Sequence, residues 1–311
     1  MTNVEFGIYI PQIGLGYELL RDRAQLCEEL GYSSFWCFDH LYGPGLPQHP
    51  ALEGWTLATS LLAQTTTLRV GHMVLCATFR HPVLLGKMAT TLDVISGGRY
   101  ELGIGSGSVE GEHDEAGIPW GTLAERTDLL EETLAILTSM FANETTTFSG
   151  KHFEVRDFPN MPRPVQQPGP RLWVGGAGER RTLPLVARYA DVWNCPTYAL
   201  GDLDAKRAVL VRECERVGRD PATIVLSLEA VLALAPNAGA LDDVRALADR
   251  RFPGPGWRLH EGGFVGTPEQ VTGRIQGLVD DGFRHFVFFT HDRGDPATLH
   301  LFANEVMPAF G

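Results

Sequence analysis

The sequence has few basic side chains and no long apolar run. Its 311 residues include 26 lysines and arginines against 38 aspartates and glutamates, which gives a formal charge of −12. Such a charge repels a nucleic-acid backbone or an anionic membrane surface. No apolar segment approaches the roughly 18 residues of a membrane span. We therefore expect neither nucleic acid nor a membrane as a partner.

Cysteine pairs and metal-binding motifs are also missing. The five cysteines are odd in number and include no C-x-x-C, so a disulfide framework is not expected. The ten histidines include no H-x-x-x-H or H-E-x-x-H, so no metal site is predicted. The stretch MTNVEFGIYIP reads as a strand rather than as a basic and then apolar signal peptide. These features predict a protein of the reducing cytoplasm.

Short apolar segments alternate with longer amphipathic ones along the whole chain, a pattern typical of α/β proteins. Predicted strands span 5–10, 33–37, 68–74, 100–104, 171–174, 190–194, 223–230 and 285–289. Predicted helices span 17–30, 52–64, 82–95, 123–140, 182–189, 203–217 and 268–281. Eight strands separated by helices predict a (β/α)8 TIM barrel, with residues 1–311 as one domain.

Several stretches are insertions in addition to the strands and helices of a simple (β/α)8 barrel. Residues 143–170, which begin near TTTFSGKHFEV and end in a run of prolines, predict a hairpin followed by an extended crossing. Residues 235–265 are rich in glycine and proline and predict a loop or lid after the seventh strand. Insertions are also predicted after the second and fourth strands, at 41–54 and 108–122.

A glycine-dense turn follows the fourth predicted strand, where the chain reads YELGIGSGSVEG from Tyr100 to Gly111. Glycine after a strand lets the backbone approach a phosphate or a planar cofactor ring. The spacing Gly103-x-Gly105-x-x-Ser108 departs from the dinucleotide fingerprint, three strands precede it, and no acidic strand end follows at the expected distance. The turn therefore predicts a cofactor site but argues against a Rossmann fold.

Chemistry in TIM barrels lies at the carboxyl ends of the strands. The residues that the predicted strands deliver there include Asp39, His40, Met73, Val74, Cys76, Ser106, Gly107, Gly175, Gly176 and Gly178. The turn at 175–178 opens a predicted helix, so its exposed amides predict a phosphate site beside Arg181.

The motifs at these positions resemble the bacterial luciferase-like superfamily, and specifically its deazaflavin (coenzyme F420)-dependent branch. The matching stretches follow the family's order over nearly the whole chain, at 38–40, 77–82, 93–99, 102–107, 164–178, 190–194 and 266–270. The resemblance implies a homodimeric F420-dependent oxidoreductase that acts on a small organic substrate. Flavin mononucleotide (FMN) enzymes share the scaffold, so a two-component FMN monooxygenase is the alternative. A non-catalytic flavin-binding barrel is the third possible function.

The resemblance also implies roles for individual residues. Asp39 is expected to contact the pterin-like edge of the deazaflavin, and His40 is expected to face the reacting carbon as the catalytic residue. Histidine suits that place because it can take a proton from an alcohol as hydride leaves, or return one in the reverse direction. Met73–Val74 matches the family's site of a non-prolyl cis peptide against one face of the ring. The other strand-end residues are expected to bind the cofactor.

One position departs from the family pattern. Related F420 sugar-phosphate dehydrogenases place a proton-donating glutamate after the glycine turn, whereas this chain has Ser108 there. The departure counts against a sugar-phosphate substrate. It leaves Glu110 or Glu112 as substitutes if the loop brings one of them to the site.

Overall fold

The strands and helices alternate along the chain, as a computed structural model of residues 4–311 shows. The strands are β1 (Glu5–Tyr9), β2 (Ser34–Cys37), β3 (Arg69–His72), β4 (Leu75–Cys76), β5 (Tyr100–Gly105), β6 (Thr145–Ser149), β7 (Glu154–Pro159), β8 (Arg171–Gly175), β9 (Val192–Cys195), β10 (Val225–Leu234), β11 (Phe264–Gly266) and β12 (Phe283–Thr290). The α-helices are α1 (Tyr17–Glu29), α2 (Gly54–Gln64), α3 (Pro82–Ser96), α4 (Glu110–Ala116), α5 (Leu123–Ala142), α6 (Thr182–Tyr189), α7 (Leu203–Val217), α8 (Leu241–Arg251), α9 (Pro268–Asp280) and α10 (Pro296–Glu305). Within residues 4–311, every helix is too short or too polar to cross a lipid bilayer.

The parallel strands close into a barrel. Their order is β1, β2, β3, β5, β8, β9, β10 and β12, and β12 pairs with β1 to complete the circle. The short strand β4 continues the line of β3 and pairs with β5, while β11 adds to the far end of β10. The predicted (β/α)8 fold is therefore confirmed.

Side chains alternate between the two faces of the barrel strands. In β10, Leu226 and Leu228 belong to the core between barrel and helices, whereas Val231 and Ala233 belong to the apolar cluster inside the barrel. By this alternation Ser227 and Glu229 also face the interior. A polar residue at either of these two positions is thus directed into the barrel.

The amino-terminal end of the barrel is filled by a charged cluster around the fully buried Glu101. Arg171 Nη2 lies 2.6 Å from Glu101 Oε1, Trp173 Nε1 donates to Oε2 at 2.6 Å, and Arg69 contacts the same carboxylate. Two cations compensate one buried anion, as a low-dielectric interior requires. This cluster fills the amino-terminal end, whereas a cavity lies at the carboxyl ends of the strands.

The insertions are more ordered than the sequence predicts. The hairpin expected within 143–170 is confirmed by the antiparallel pair β6–β7. The prediction of a loop or lid over 235–265 is wrong in part, because this segment contains α8 and β11 and follows a β10 that runs four residues past its predicted end. Because glycine and proline cluster between α8 and β11, the composition of the whole segment predicts a loop. The helix that precedes this cluster is not evident from the composition. Phe252 and Trp257 pack on Phe289, so this insertion covers part of the barrel mouth.

Candidate active site

A cavity of about 650 Å³ opens at the carboxyl ends of the barrel strands. The residues that the sequence predicts for the site all line it, namely Asp39, His40, Met73, Val74, Cys76, Ser106, Gly107, Gly175, Gly176 and Gly178. They come from the ends of four neighbouring strand positions, which parallel pairing brings to one rim. The fold therefore assembles these residues at one place, and their contact with a cofactor stays a prediction.

His40 is held by a carboxylate from an insertion. Its Nδ1 lies 2.7 Å from Glu112 Oε1, and Glu112 Oε2 accepts the Leu41 backbone N–H at 2.9 Å. The Glu112 side chain is 2% exposed, whereas the His40 side chain keeps 25% of its surface open. The histidine is thus anchored on its buried side and remains accessible on the other.

The anchor also determines which ring nitrogen of His40 carries hydrogen. An ionised carboxylate can only accept, so Nδ1 must donate to Glu112. In the neutral ring Nε2 then bears the lone pair and can accept a proton. Of the two glutamates that the sequence offers, α4 brings Glu112 to the site, whereas Glu110 is exposed and does not line the cavity.

Asp39 joins three parts of the rim. Its Oδ2 accepts the Cys76 backbone N–H at 2.8 Å, and Arg80 binds both carboxylate oxygens at 2.7 and 2.8 Å. Arg80 also reaches Glu53 at 3.0 Å. A bidentate arginine compensates the Asp39 charge and fixes its orientation. Both oxygens of the residue expected at the cofactor edge are therefore already engaged by the protein.

The Met73–Val74 peptide is cis, as the family resemblance implies. It lies between β3 and β4 and directs Val74 toward the glycines on the opposite wall, since a Cβ at Gly175 would lie 3.1 Å from a Val74 methyl group. Gly107 has φ +84°, and a Cβ there would lie 2.7 Å from Cys76 Sγ. This wall is bare because side chains would close the space beside Val74.

The turn at 176–178 departs in one respect from its prediction. Gly176 has φ +123°, a conformation that favours glycine, and the turn leads into α6. Arg181, predicted to accompany the turn, does not line the cavity; its Nη1 lies 2.9 Å from Asp128 Oδ1. The cation beside the turn is instead Lys206, whose hydrogen bond with Glu179 raises its pKa. Sequence spacing missed Lys206 because α7 brings it from a later part of the chain.

Glu229 is a second residue that sequence reasoning missed. It lines the cavity from the middle of β10, and its Oε2 accepts from Asn194 Nδ2 at 3.0 Å. Burial raises the pKa of Glu229 to about 7, and the Asn194 hydrogen bond only partly opposes this. The signal in the sequence was the alternation of Ser227 and Glu229 with leucines in an otherwise apolar strand.

The thiol and imidazole groups at the rim do not form a metal site. Within residues 4–311, no group of three or more histidine, cysteine, aspartate or glutamate side chains has an arrangement that could hold a metal ion. Cys76 Sγ lies 2.9 Å from Thr78 Oγ1, and burial raises the pKa of the thiol. Cys76 is therefore a neutral component of the cavity wall.

Known proteins resemble this chain in sequence and in fold. The F420-dependent glucose-6-phosphate dehydrogenase of Microbacterium testaceum is 26% identical over 98% of this chain and 97% of its own length. The FMNH(2)-dependent dimethylsulfone monooxygenase of Pseudomonas putida is 30% identical over 61% of this chain and 53% of its own. The coenzyme F420-dependent tetrahydromethanopterin reductase of Methanopyrus kandleri has a TM-score of 0.82 and 17% identity, covering 99% of this chain and 100% of its own. The last likeness concerns the fold.

The family profile described as luciferase-like monooxygenase matches residues 6–285, most of the chain. This match covers the barrel from β1 to the first residues of β12, including the glycine turns and the Asp39-His40 pair. The superfamily resemblance is therefore confirmed, and the chain belongs to the luciferase-like monooxygenase family.

Proposed function

We propose that this protein is an F420-dependent oxidoreductase that moves a hydride between the deazaflavin and a small alcohol or carbonyl compound. The observation that carries the proposal is His40, which lines the cavity and whose Nδ1 is fixed by Glu112 at 2.7 Å. The relative from Microbacterium testaceum, which matches nearly the full length of both chains and is F420-dependent, supports this cofactor.

The cavity fits a flat ring with an anionic tail. Val74 and the bare wall at Gly107 and Gly175 leave room for a planar group, and a side chain at either glycine would occupy that room. The turn at 176–178 and Lys206 supply backbone amides and a positive charge for a phosphate. Bound F420 would supply the carbon that accepts or donates the hydride.

The protein's own part of the reaction is to position the substrate and exchange its proton. As hydride leaves the carbinol carbon of an alcohol, His40 Nε2 takes the hydroxyl proton and a carbonyl forms; in the reverse direction it returns that proton. The Glu112 carboxylate stabilises the imidazolium that results. Arg80 keeps Asp39 in place at the rim next to His40.

Two other functions fit the fold less well. An FMN-dependent monooxygenase is represented among the relatives, but that protein from Pseudomonas putida matches only 61% of this chain. A non-catalytic flavin-binding barrel has no use for a buried carboxylate that fixes the hydrogen position of an accessible histidine. The His40–Glu112 pair therefore favours an enzyme.

A titration of the apoprotein with F420 and with FMN, each followed by fluorescence quenching, tests the cofactor. We expect F420 to bind at least about tenfold more tightly, a difference of about 1.4 kcal/mol. Gly178→Asp should weaken F420 binding because it places a negative charge at the phosphate turn; the nearest atom to its Cβ would be Thr182 Oγ1, at 3.0 Å. Gly16→Asp is the control, since it adds the same charge at the exposed start of α1. Equal or tighter FMN binding would refute the proposed cofactor.

We also propose that the protein is a cytoplasmic homodimer and that residues 1–311 form one domain. The dimer is inferred from the family resemblance, and exposed Leu84 and Ile95 on α3 offer apolar surface for a contact between copies. All five cysteines are buried and free, as suits a reducing compartment. Light scattering should give about twice the chain mass of 34.1 kDa, and calorimetry should show one unfolding transition. A monomer at all concentrations, or two separate transitions, would contradict these expectations.

A further inference from the structure

The charges that line the active-site cavity are paired, with one exception. Asp39 is held by Arg80, Glu112 by His40, and Asp202 lies 3.5 Å from Lys206. The cavity-lining Arg258 is likewise paired with Glu261. Among the carboxyl groups that line this cavity within residues 4–311, Glu229 alone is bonded to no lysine, arginine or histidine side chain.

Glu229 is held in place by neutral groups. Ser227 Oγ lies 3.5 Å from Asn194 Oδ1, and Asn194 Nδ2 donates to Glu229 at 3.0 Å. With its oxygen toward the serine hydroxyl, the Asn194 amide presents an N–H to the glutamate. The carboxyl group is therefore oriented by its neighbour strand and keeps further acceptor capacity toward the cavity.

The other titratable groups near Glu229 cannot compensate its charge. Burial raises the pKa of Tyr9, Cys195 and Tyr198, and the charge of Glu229 adds to the rise in each case. These groups are neutral at physiological pH. No lysine or arginine contributes to the pKa of Glu229 itself, which burial raises. A cation from outside the protein would therefore meet an unshared, pre-oriented carboxylate.

We propose that Glu229 selects the substrate by pairing with a protonated amino group, so that the cavity takes a small amino alcohol or amino ketone. The inference rests on the proposed function, because His40 provides the proton exchange at the hydroxyl or carbonyl. Hydride transfer would occur at one end of such a molecule while Glu229 holds the other. An ion pair formed inside a largely apolar cavity is stronger than the same pair in water.

Binding of matched probes to the apoprotein and to the protein with F420 tests this inference. The probes are aminocyclohexanol and aminopropanol, which are cations at neutral pH, with cyclohexanediol and propanediol as their uncharged counterparts. Titration calorimetry should show each cation binding about tenfold more tightly than its counterpart, the difference between a charged and a neutral hydrogen-bond donor. Equal affinities, or no binding of either cation at millimolar concentration, would overturn the proposal.

Glu229→Gln removes the charge, keeps the size and can still accept from Asn194. Its preference for the cations should fall to within about twofold. Asp202→Asn is the matched control, because it removes a carboxylate that is already paired and should retain the preference. An unchanged preference in Glu229→Gln would overturn the assignment. If F420 fails to bind while the preference persists, the proposed function fails and the role of Glu229 stands; if F420 binds and the preference is missing, only this inference fails.

Discussion

Replacing Glu112 with glutamine should remove the preference of the neutral His40 ring for hydrogen on Nδ1. In the native protein the carboxylate requires hydrogen on Nδ1, across a 2.7 Å contact to a glutamate side chain that is 2% exposed. A hydrogen bond to a charged group contributes about 1.5–3 kcal/mol, and one between neutral groups about 0.5–1.5 kcal/mol. The substitution therefore removes roughly 1–1.5 kcal/mol of bias between the two neutral forms of the ring, a factor of about 5 to 13.

Histidine side-chain nitrogen NMR measures this bias without a substrate. At mildly alkaline pH the His40 signals, assigned by their loss in His40→Gln, should report hydrogen on Nδ1 in the native protein and the loss of that preference in Glu112→Gln. Once a substrate is known, turnover should fall about 10- to 100-fold, the usual effect of removing a group that orients a reacting side chain. F420 affinity should change little.

Glu110→Gln is the matched control, since this residue lies two positions earlier on α4 and is exposed. It should leave both the NMR signals and turnover as they are. A native His40 with hydrogen on Nε2, or a Glu112→Gln protein with the native hydrogen position, would refute the positioning role of Glu112. Circular dichroism establishes that each variant is folded.

Three further predictions concern the site and its frame. His40→Ala should retain F420 in the fluorescence titration while losing about 10²- to 10⁴-fold in turnover, the usual contribution of a general acid or base; native turnover in a folded variant would exclude the role. Although burial alone would raise the pKa of Glu28, three backbone N–H groups at 66–68 lower it from 4.5 to about 2, so its stabilisation is complete above pH 4.5 and is lost as pH falls toward 2. The melting-temperature deficit of Glu28→Gln should therefore shrink over that range, with Glu29→Gln showing no such trend. Arg99→Ala should reduce the free energy of unfolding by about 2–4 kcal/mol in urea, because Arg99 donates to three backbone carbonyls at and beyond the end of α2; a loss below about 0.5 kcal/mol would contradict this.

The barrel could be predicted because local pattern and long-range pairing agree. Strands that are covered on both faces read as short apolar runs, and the helices between them carry recognisable starts such as Thr267 before Pro268. Parallel strands then place their carboxyl ends at one rim. For this reason Asp39, His40 and the glycine turns could be assigned to one site from the sequence.

The contacts between those residues could not be predicted, because they depend on directions that a sequence does not contain. Residues two positions apart on a helix point about 200° apart, so only one of Glu110 and Glu112 can face His40, and the docking of α4 decides which. Arg181 was misassigned for a related reason, since its side chain turns outward to Asp128. The role proposed for Glu229 depends on its position inside the barrel and on the lack, among residues 4–311, of a lysine, arginine or histidine bonded to it.

The insertion at 108–122, which contains α4, is a segment that can be exchanged separately from the barrel. Its Glu112 reaches His40 at the end of β2, while the adjacent His113 bonds Thr78 at 2.6 Å beyond β4. One short helix therefore contacts two strand ends, whereas the closure of the barrel is made by pairing between the strands themselves. An exchange of 108–122 for a segment without a carboxylate at position 112 would remove the group that fixes the hydrogen position of His40 and would change the adjoining cavity wall in one step. Evolution, or a designer, can thus alter the chemistry of this barrel without rebuilding its core.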